Sequence, residues 1–303
     1  MKNKVIIMLI IILGVFVAGC STQDEKAFEV PFKGDMDHIH GMGYAGNDDG
    51  LFFASHTGLK IYREGKWFAT SMNFNDYMGF AAVDKGFYSS GHPGSDSKLP
   101  NPIGLQRSFD GGKTLENIDF EGESDFHVMA VGYESHDVIL LNEQTNSKLG
   151  IGIYLSEDSG KSWKEVTASG LDSDVLAFSI HPTNSDFIAA TTNSGVYLSS
   201  DKGENFQQIS EAKAVGTAVF FNEENLYFAS YREKAKLEKY KIDNDEIEIM
   251  ELPELIEDGP VFIAQNPNDS EQLAIYTLKG QAYISNDHSK TWDQIVVNNE
   301  VQY

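Results

Sequence analysis

The chain has 303 residues and carries 46 Asp and Glu against 23 Lys and Arg, which gives a formal net charge of −23 at pH 7. A surface this acidic repels phosphate backbones, so it argues against nucleic acid as a partner and favours cations or neutral ligands. The same acidity would also serve solubility alone. Because the chain has one cysteine, no internal disulfide can form, and packing and hydrogen bonds must hold the fold together.

The N-terminal residues are typical of a lipoprotein export signal. Lys2 and Lys4 precede an apolar run that is shorter than the roughly 20 residues of a transmembrane helix. The run ends in Val17-Ala18-Gly19-Cys20, which has the form of a lipobox. This pattern favours a lipid anchor in the cell membrane, outside the cytoplasm, over a transmembrane anchor. We expect a signal peptide over 1–19, the lipidated Cys20 with a tether over 20–33, and a single domain over 34–303.

Short alternating segments follow one another along the rest of the chain and predict β-strands in groups of four. In the order a, b, c and d, the first group covers 40–45, 51–55, 59–63 and 67–70. The second group covers 77–83, 87–90, 104–109 and 115–120. Further groups are expected to start near residues 127, 175, 217 and 260.

A turn of the form Ser-x-Asp-x-Gly, closed by a hydroxyl or amide residue and an apolar one, recurs between the predicted c and d strands. The copies open at Ser108, Ser156, Ser199 and Ser285, and the last has serine in place of glycine. The gap between the last two copies is twice the gap before it, so a degenerate copy is expected near residue 242. Counting back one interval from the first copy leads to the turn at Glu64-Gly65. A period of about 40 to 50 residues with four strands predicts an all-β, six-bladed β-propeller.

These turns resemble the Asp-box, or BNR, repeat of sialidase-like and sortilin-like propellers, and the resemblance covers about residues 36–297. It implies that Asp110, Asp158, Asp201 and Asp287 lie in c-to-d turns on one face. It also implies that ligands bind at the opposite face. We call that opposite face, which carries the d-to-a and b-to-c loops, the top.

Five of the eight histidines are predicted to lie on the top of the first three blades, and the other three, His136, His181 and His288, on the bottom. Each of the five occurs where a strand a begins or a strand b ends. These positions are the ones nearest the mouth of the central channel. The five are His38, His40, His56, His92 and His127.

Other polar residues fall beside these histidines. Asp76 and Met78 stand at the start of the second strand a, Asp125 lies two residues before His127, and Asn101 lies in the long loop after His92. We expect all of them at one ligand or metal site. The alternative is that each histidine stabilises a tight turn by bonding backbone groups.

Several segments as a set resemble a family of exported bacterial propellers that are generally labelled glycosyl hydrolases. Among them are His38-Ile39-His40-Gly41, Gly91-His92-Pro93-Gly94 and Asp125-Phe126-His127. The resemblance runs through the first half of the chain. It implies an exported propeller and a glycosyl hydrolase label, without naming catalytic residues.

Three classes of function remain open: a glycosidase, a metal-binding protein and a docking platform. A true sialidase would need an arginine cluster, whereas this chain has three arginines and only Arg232 is predicted to reach the top. Another glycosidase could use Asp76 and Asp125 as catalytic carboxylates. Imidazoles beside carboxylates suit a transition metal such as Zn or Cu, and Met78 would favour copper.

The third class is a docking platform for envelope proteins, whose sign would be an exposed apolar top face. The lipid anchor makes the membrane an expected partner, and the glycosidase and metal-binding classes add a small molecule, glycan or metal. We expect the propeller to be a monomer.

Overall fold

The structure is a computed structural model that describes residues 27–303. Every regular element of these residues is a β-strand, and the strands form six antiparallel sheets. In each sheet the four main strands lie side by side in chain order, as blades do. The prediction of an all-β, six-bladed propeller is therefore confirmed. The described part of the chain contains no helix long and apolar enough to cross a membrane.

Blades 1 to 3 occupy the first half of the described chain. The first strand, β1 (Glu29–Pro31), lies on the outer edge of blade 1, which comprises β2 (Ile39–Tyr44), β3 (Leu51–Ser55), β4 (Gly58–Arg63) and β5 (Lys66–Thr70). Blade 2 comprises β6 (Asp76–Val83), β7 (Gly86–His92), β8 (Leu105–Ser108) and β9 (Glu116–Asp119). Blade 3 comprises β10 (Met129–Val131), β11 (Val138–Asn142), β12 (Gly152–Ser156) and β13 (Lys164–Val166).

Blades 4 to 6 complete the ring. Blade 4 comprises β14 (Val175–Ile180), β15 (Ile188–Thr192), β16 (Gly195–Ser199) and β17 (Gln207–Gln208). Blade 5 comprises β18 (Val215–Phe221), β19 (Asn225–Tyr231), β20 (Ala235–Lys241) and β21 (Ile247–Met250). Blade 6 comprises β22 (Pro260–Asn266), β23 (Asp269–Thr277), β24 (Ala282–Ser285) and β25 (Asp293–Val297), with β26 (Glu300–Val301) on its outer edge.

The core consists of layers between the blades. The innermost strands β2, β6, β10, β14, β18 and β22 each contact the next, and β22 contacts β2. Among the described residues, one buried apolar cluster fills each of the six boundaries between neighbouring blades. A four-stranded sheet with two apolar faces cannot bury both alone, so each blade depends on two neighbours.

The ends of the described chain meet where blades 1 and 6 adjoin. The apolar segment 28–32 does not pair with blade 6, because Val30 of β1 pairs with Ala69 at the edge of blade 1. Strand β1 also occupies part of the range 20–33, for which the sequence predicted a tether. The link to blade 6 comes just after β1: the Met36 amide donates to the Asn299 carbonyl at 2.9 Å, and the Val301 amide donates to the Gly34 carbonyl at 3.1 Å. Each blade is thus contiguous in sequence, and backbone bonds between the two ends close the ring.

The four recurrent turns have the same hydrogen bonds. In the copy of blade 3, the Gly160 amide donates to Ser156 Oγ at 2.8 Å, and the Ser162 amide donates to Asp158 Oδ1 at 2.8 Å. All four copies connect the third and fourth strands of their blades, as predicted. In an antiparallel blade these connections lie at the end opposite the b-to-c loops. The degenerate copy near residue 242 forms the equivalent turn between β20 and β21.

Candidate functional site

The innermost strands carry an irregularity that shapes the channel mouth. In five blades the pairing of strand a with strand b skips one residue close to the start of strand a, which is a β-bulge. A bulge bends the strand and re-aims a side chain. The skipped residues are His40, Met78, Leu176, Thr217 and Val261.

Two glycines allow neighbouring blades to approach closely at this mouth. A Cβ atom on Gly41 would lie 2.6 Å from the Cβ of Phe80, and one on Gly79 would lie 2.2 Å from the carbonyl oxygen of Phe126. Both distances are too short for real contacts, so the spacing of blades 1, 2 and 3 requires glycine at these positions. The side chains at the blade tops are brought together as a result.

One polar group lies at the boundary of blades 1 and 2, and we call His38, His40, His56 and Asp76 the His40 group. His56 Nδ1 lies 2.9 Å from Asp76 Oδ2, and His40 Nε2 lies 3.6 Å from Asp76 Oδ1. His40 Nε2 and His56 Nδ1 are 3.3 Å apart. The ring of His38 is 4.8 Å from that of His40, centroid to centroid.

A second polar group lies at the boundary of blades 2 and 3, and we call His92, Asn101, Asp125 and His127 the His92 group. Asp125 Oδ2 is 3.1 Å from His92 Nε2 and 3.4 Å from His127 Nδ1. The other ring nitrogen of His92 lies 2.7 Å from Asn101 Oδ1. The loop after β7 therefore contributes a contact to this group.

The electrostatics of both groups follow from burial. Loss of water lowers the pKa of His40 to about 4, although Asp76 opposes the shift. Burial also raises the pKa of Asp125, against the opposite effect of His127 and His92. In the described residues, Asp76 Oδ1 and Asp125 Oδ1 are buried and accept no hydrogen bond. Each carboxylate therefore has an oxygen that a cation could satisfy.

The mouth opens into a central cavity of about 810 Å³. His38, His40 and His127 line it near the top, together with Met42, Met78 and Met129 of the innermost strands. Toward the bottom, at the a-to-b turns, it is lined by Glu134, Glu223 and Glu224. Among the described residues, no Lys or Arg lines this cavity, so its field attracts cations.

The structure gathers the five predicted histidines and both predicted carboxylates at the top, but in two groups. Within residues 27–303, one set of three potential metal ligands has all its ligand atoms within 4.8 Å of one another, and it consists of His40, His56 and Asp76. All five histidines were expected at one site, whereas this set has two imidazoles and a carboxylate. His136 lies elsewhere, between Asp84 and Tyr88.

Some residues around the channel were missed by sequence reasoning. The three glutamates occupy a-to-b turns, which the repeat places on the bottom, and only the channel geometry shows that they face the cavity. The top face also carries exposed apolar side chains, which belong to d-to-a or b-to-c segments or, for Leu176, to the bulge at the start of β14. They are Met72, Phe74, Ile151, Leu176, Ile256 and Leu278.

The arginines do not form a carboxylate-binding cluster. Arg63 pairs with Glu29 and Asp48. Arg107 pairs with Glu116, and Arg232 pairs with Glu211 at the top but away from the central cavity. None of the three arginines lines the central cavity.

Comparisons with known proteins agree on the fold. Residues 104–251 match the profile of the Sortilin-Vps10 family (sortilin, neurotensin receptor 3), which is slightly less than half of the chain. No curated protein matches the sequence. The chain is similar in structure to a GH74 xyloglucanase from Xanthomonas campestris, with 14% identity and a TM-score of 0.55 over 88% of this chain and 46% of that one.

Two further solved structures are similar. A chain of a nidogen/laminin complex has 12% identity and a TM-score of 0.59, over 84% of this chain and 95% of that one. YCF48 bound to a D1 peptide has 13% identity and a TM-score of 0.51, over 89% of this chain and 85% of that one. At these identities the likeness concerns the fold alone, and this chain spans less than half of the GH74 xyloglucanase.

Proposed function

We propose that this chain is a lipid-anchored extracytoplasmic propeller that binds a transition metal ion at the top of its channel, through His40, His56 and Asp76. The observation that carries the proposal is the approach of these three side chains, whose ligand atoms all lie within 4.8 Å of one another. The recurrent turns, which have the Asp-box form, would serve the fold and leave the top face to the ligand.

The chemistry of the site suits a metal better than an anion. With its pKa near 4, His40 is neutral at physiological pH and offers a lone pair to a metal. The carboxylate of Asp76 has a buried oxygen without a hydrogen-bond partner in the described residues. Two imidazoles with a carboxylate fit Zn²⁺ or Cu²⁺, and the thioether of Met78 in the same cavity favours copper.

The test is metal binding by the full chain, purified in mild detergent without a polyhistidine tag. We expect the protein to retain Zn²⁺ or Cu²⁺ after dialysis, measured by elemental analysis, and titration calorimetry to give its affinity. Asp76→Asn and His56→Ala should each weaken binding at least tenfold, because each removes a ligand. His288→Ala is the matched control, since His288 is half-exposed in a bottom turn.

Wild-type protein that binds neither metal would contradict the proposal, as would equal losses in the control and the ligand variants. The pocket would then serve an organic ligand, and a glycoside hydrolase would become the better candidate. Asp125 favours that alternative, because burial raises its pKa as a general acid requires. Release of reducing sugar from xyloglucan that Asp125→Asn abolishes would support it.

A docking platform is the second alternative. The exposed side chains of Leu176, Ile256 and Leu278 on the top face favour it, although they lie beside a polar histidine site and not in place of one. The solved complexes of other propellers with a peptide or a protein show only that this fold can serve such a role.

The anchor is part of the proposal and depends on residues outside those that the structure describes. Cys20 and the apolar run before it support lipidation of the chain outside the cytoplasmic membrane. Because β1 begins at Glu29, residues 20–28 would link the lipid to the propeller.

A further inference from the structure

We propose that the top of the channel holds two metal ions, the second of them bound by His92, Asp125 and His127. This inference rests on the proposed metal-binding function and extends it from the His40 group to the His92 group. It follows from a repeat of the same side-chain arrangement at the next blade boundary, and from the way His92 is held.

The two groups are built in the same way from successive blades. Asp76 opens the innermost strand of blade 2 and faces His56, which follows the second strand of blade 1. Asp125 shortly precedes the innermost strand of blade 3 and faces His92, the last residue of the second strand of blade 2. The repeat therefore places a carboxylate opposite a histidine at both boundaries.

The hydrogen bond between His92 and Asn101 indicates which ring nitrogen of His92 carries the proton and which one faces Asp125. Because the side-chain oxygen of Asn101 accepts at 2.7 Å, Nδ1 of His92 must carry a proton. In the neutral ring, Nε2 then carries a lone pair, and this lone pair faces Asp125 Oδ2 at 3.1 Å. Two acceptors at this distance repel each other unless a proton or a cation lies between them.

An imidazole whose second nitrogen donates to an oxygen is also the usual geometry of a metal-bound histidine. Asn101 thus orients His92 in the way that a second-sphere residue orients a ligand. The third ligand is His127, whose Nδ1 is 3.4 Å from the same carboxylate oxygen. His92 Nε2 and His127 Nδ1 lie more than 4.8 Å apart, so one of these two accessible rings has to turn toward the ion when it binds.

The side chains of the His92 group differ in how far they are buried. The side chain of Asp125 is only 12% exposed, whereas the side chains of His92 and His127 are 43% and 45% exposed. A buried carboxylate with one oxygen unsatisfied in the described residues is unfavourable without a positive partner. The two accessible imidazoles give a cation a route to it, and the cavity beneath contributes negative charge without Lys or Arg among its described lining residues.

The experiment counts Zn²⁺ ions on the full chain by elemental analysis and titration calorimetry. We expect two ions on the wild-type protein, one on Asp125→Asn, one on Asp76→Asn and none on the double variant. His92→Ala is a second probe of the new site; its side chain is 43% exposed and lies outside the apolar core, so its loss does not threaten folding. His288→Ala should retain two ions.

Asn101 gives a separate readout. As a positioning residue it should not change the number of ions, but Asn101→Ala should weaken the second ion about tenfold, the effect typical of losing a residue that orients a ligand. An unchanged affinity of the second ion in Asn101→Ala would overturn its positioning role.

The outcomes separate this inference from the proposed function. One ion on the wild type, unaffected by Asp125→Asn, overturns the second site and leaves the first. One ion that either Asp variant abolishes means a single shared site and also overturns it. No ion on the wild type refutes the proposed function itself.

Discussion

At the scale of single residues, the mouth of the channel contains a histidine, His40, that resists protonation. Burial at the top of blade 1 lowers the pKa of His40 to about 4, and Asp76 only partly opposes this. His40 therefore stays neutral in mildly acidic surroundings, where an exposed histidine would be protonated. In the proposed metal site this imidazole would remain able to bind the ion.

The same shift predicts a pH-dependent stability in the absence of metal. Between pH 6.5 and about 4, the unfolded chain binds a proton at residue 40 that the folded chain does not, so the free energy of unfolding should decrease as pH falls. His40→Gln should lose this component. Urea unfolding of both proteins with a chelator, across this pH window, measures the difference. The raised pKa of Asp125 acts with the opposite sign in both proteins and cancels. If the free energy of unfolding changes equally with pH in both proteins, the shift in the pKa of His40 is refuted.

At the scale of elements, the recurrent turns lock the third and fourth strands of four blades together. Ser156 is buried, and its Oγ donates to Asp158 Oδ1 while accepting from the Gly160 amide. A local turn that satisfies its own backbone needs little help from the rest of the fold. This explains how the pattern can recur on blades whose top faces differ so much.

Ser156→Ala should therefore destabilise the propeller. It leaves the buried Gly160 amide without its partner, which costs about 1–3 kcal/mol. The midpoint of urea unfolding should decrease accordingly, without a change in slope. Ser270→Ala is the control, because Ser270 is exposed. A loss no larger than that of the control would show that the turn is not a source of stability.

At the scale of the whole molecule, the ring closes where the two ends of the described chain meet. Trp67 Nε1 donates to the Gln302 carbonyl at 3.1 Å. The backbones of Asp35 and Glu300 form an isolated antiparallel β-bridge between the two ends. The residues that precede β1 meet the propeller at the other end of that strand, where the Ser71 amide donates to the Phe28 carbonyl at 2.7 Å. Because Ser71 belongs to the d-to-a segment between blades 1 and 2, the proposed lipid linker would join the propeller at the outer edge of the top face.

The location of the whole molecule is tested at Cys20. Cys20→Ser should leave the chain uncleaved or without lipid, because processing of a lipobox requires the cysteine thiol as the acylated group. The protein should then move from the detergent phase to the aqueous phase in a phase-partition assay. Ser21→Ala, one residue further on, should partition like the wild type. Unchanged partitioning, with no lipid adduct on the N-terminal peptide, would contradict the anchor.

Sequence alone determined the fold and the face of the site. The turn opened by Ser108, Ser156, Ser199 and Ser285 is made by local hydrogen bonds, so its spacing counts blades reliably. Strand direction then alternates by necessity, and this places the starts of strands a and the ends of strands b on one side. The gathering of the five histidines at the top followed from these two facts.

Only the tertiary structure decided how those histidines divide. The pairing of His56 with Asp76 and of His92 with Asp125 depends on how closely blades 1, 2 and 3 approach, and a repeat period does not encode that distance. Bulges turn single residues of the innermost strands toward the mouth. Ring closure, too, was decided by contacts between distant ends. These features arise from packing between blades, whereas the pattern in the sequence describes each blade by itself.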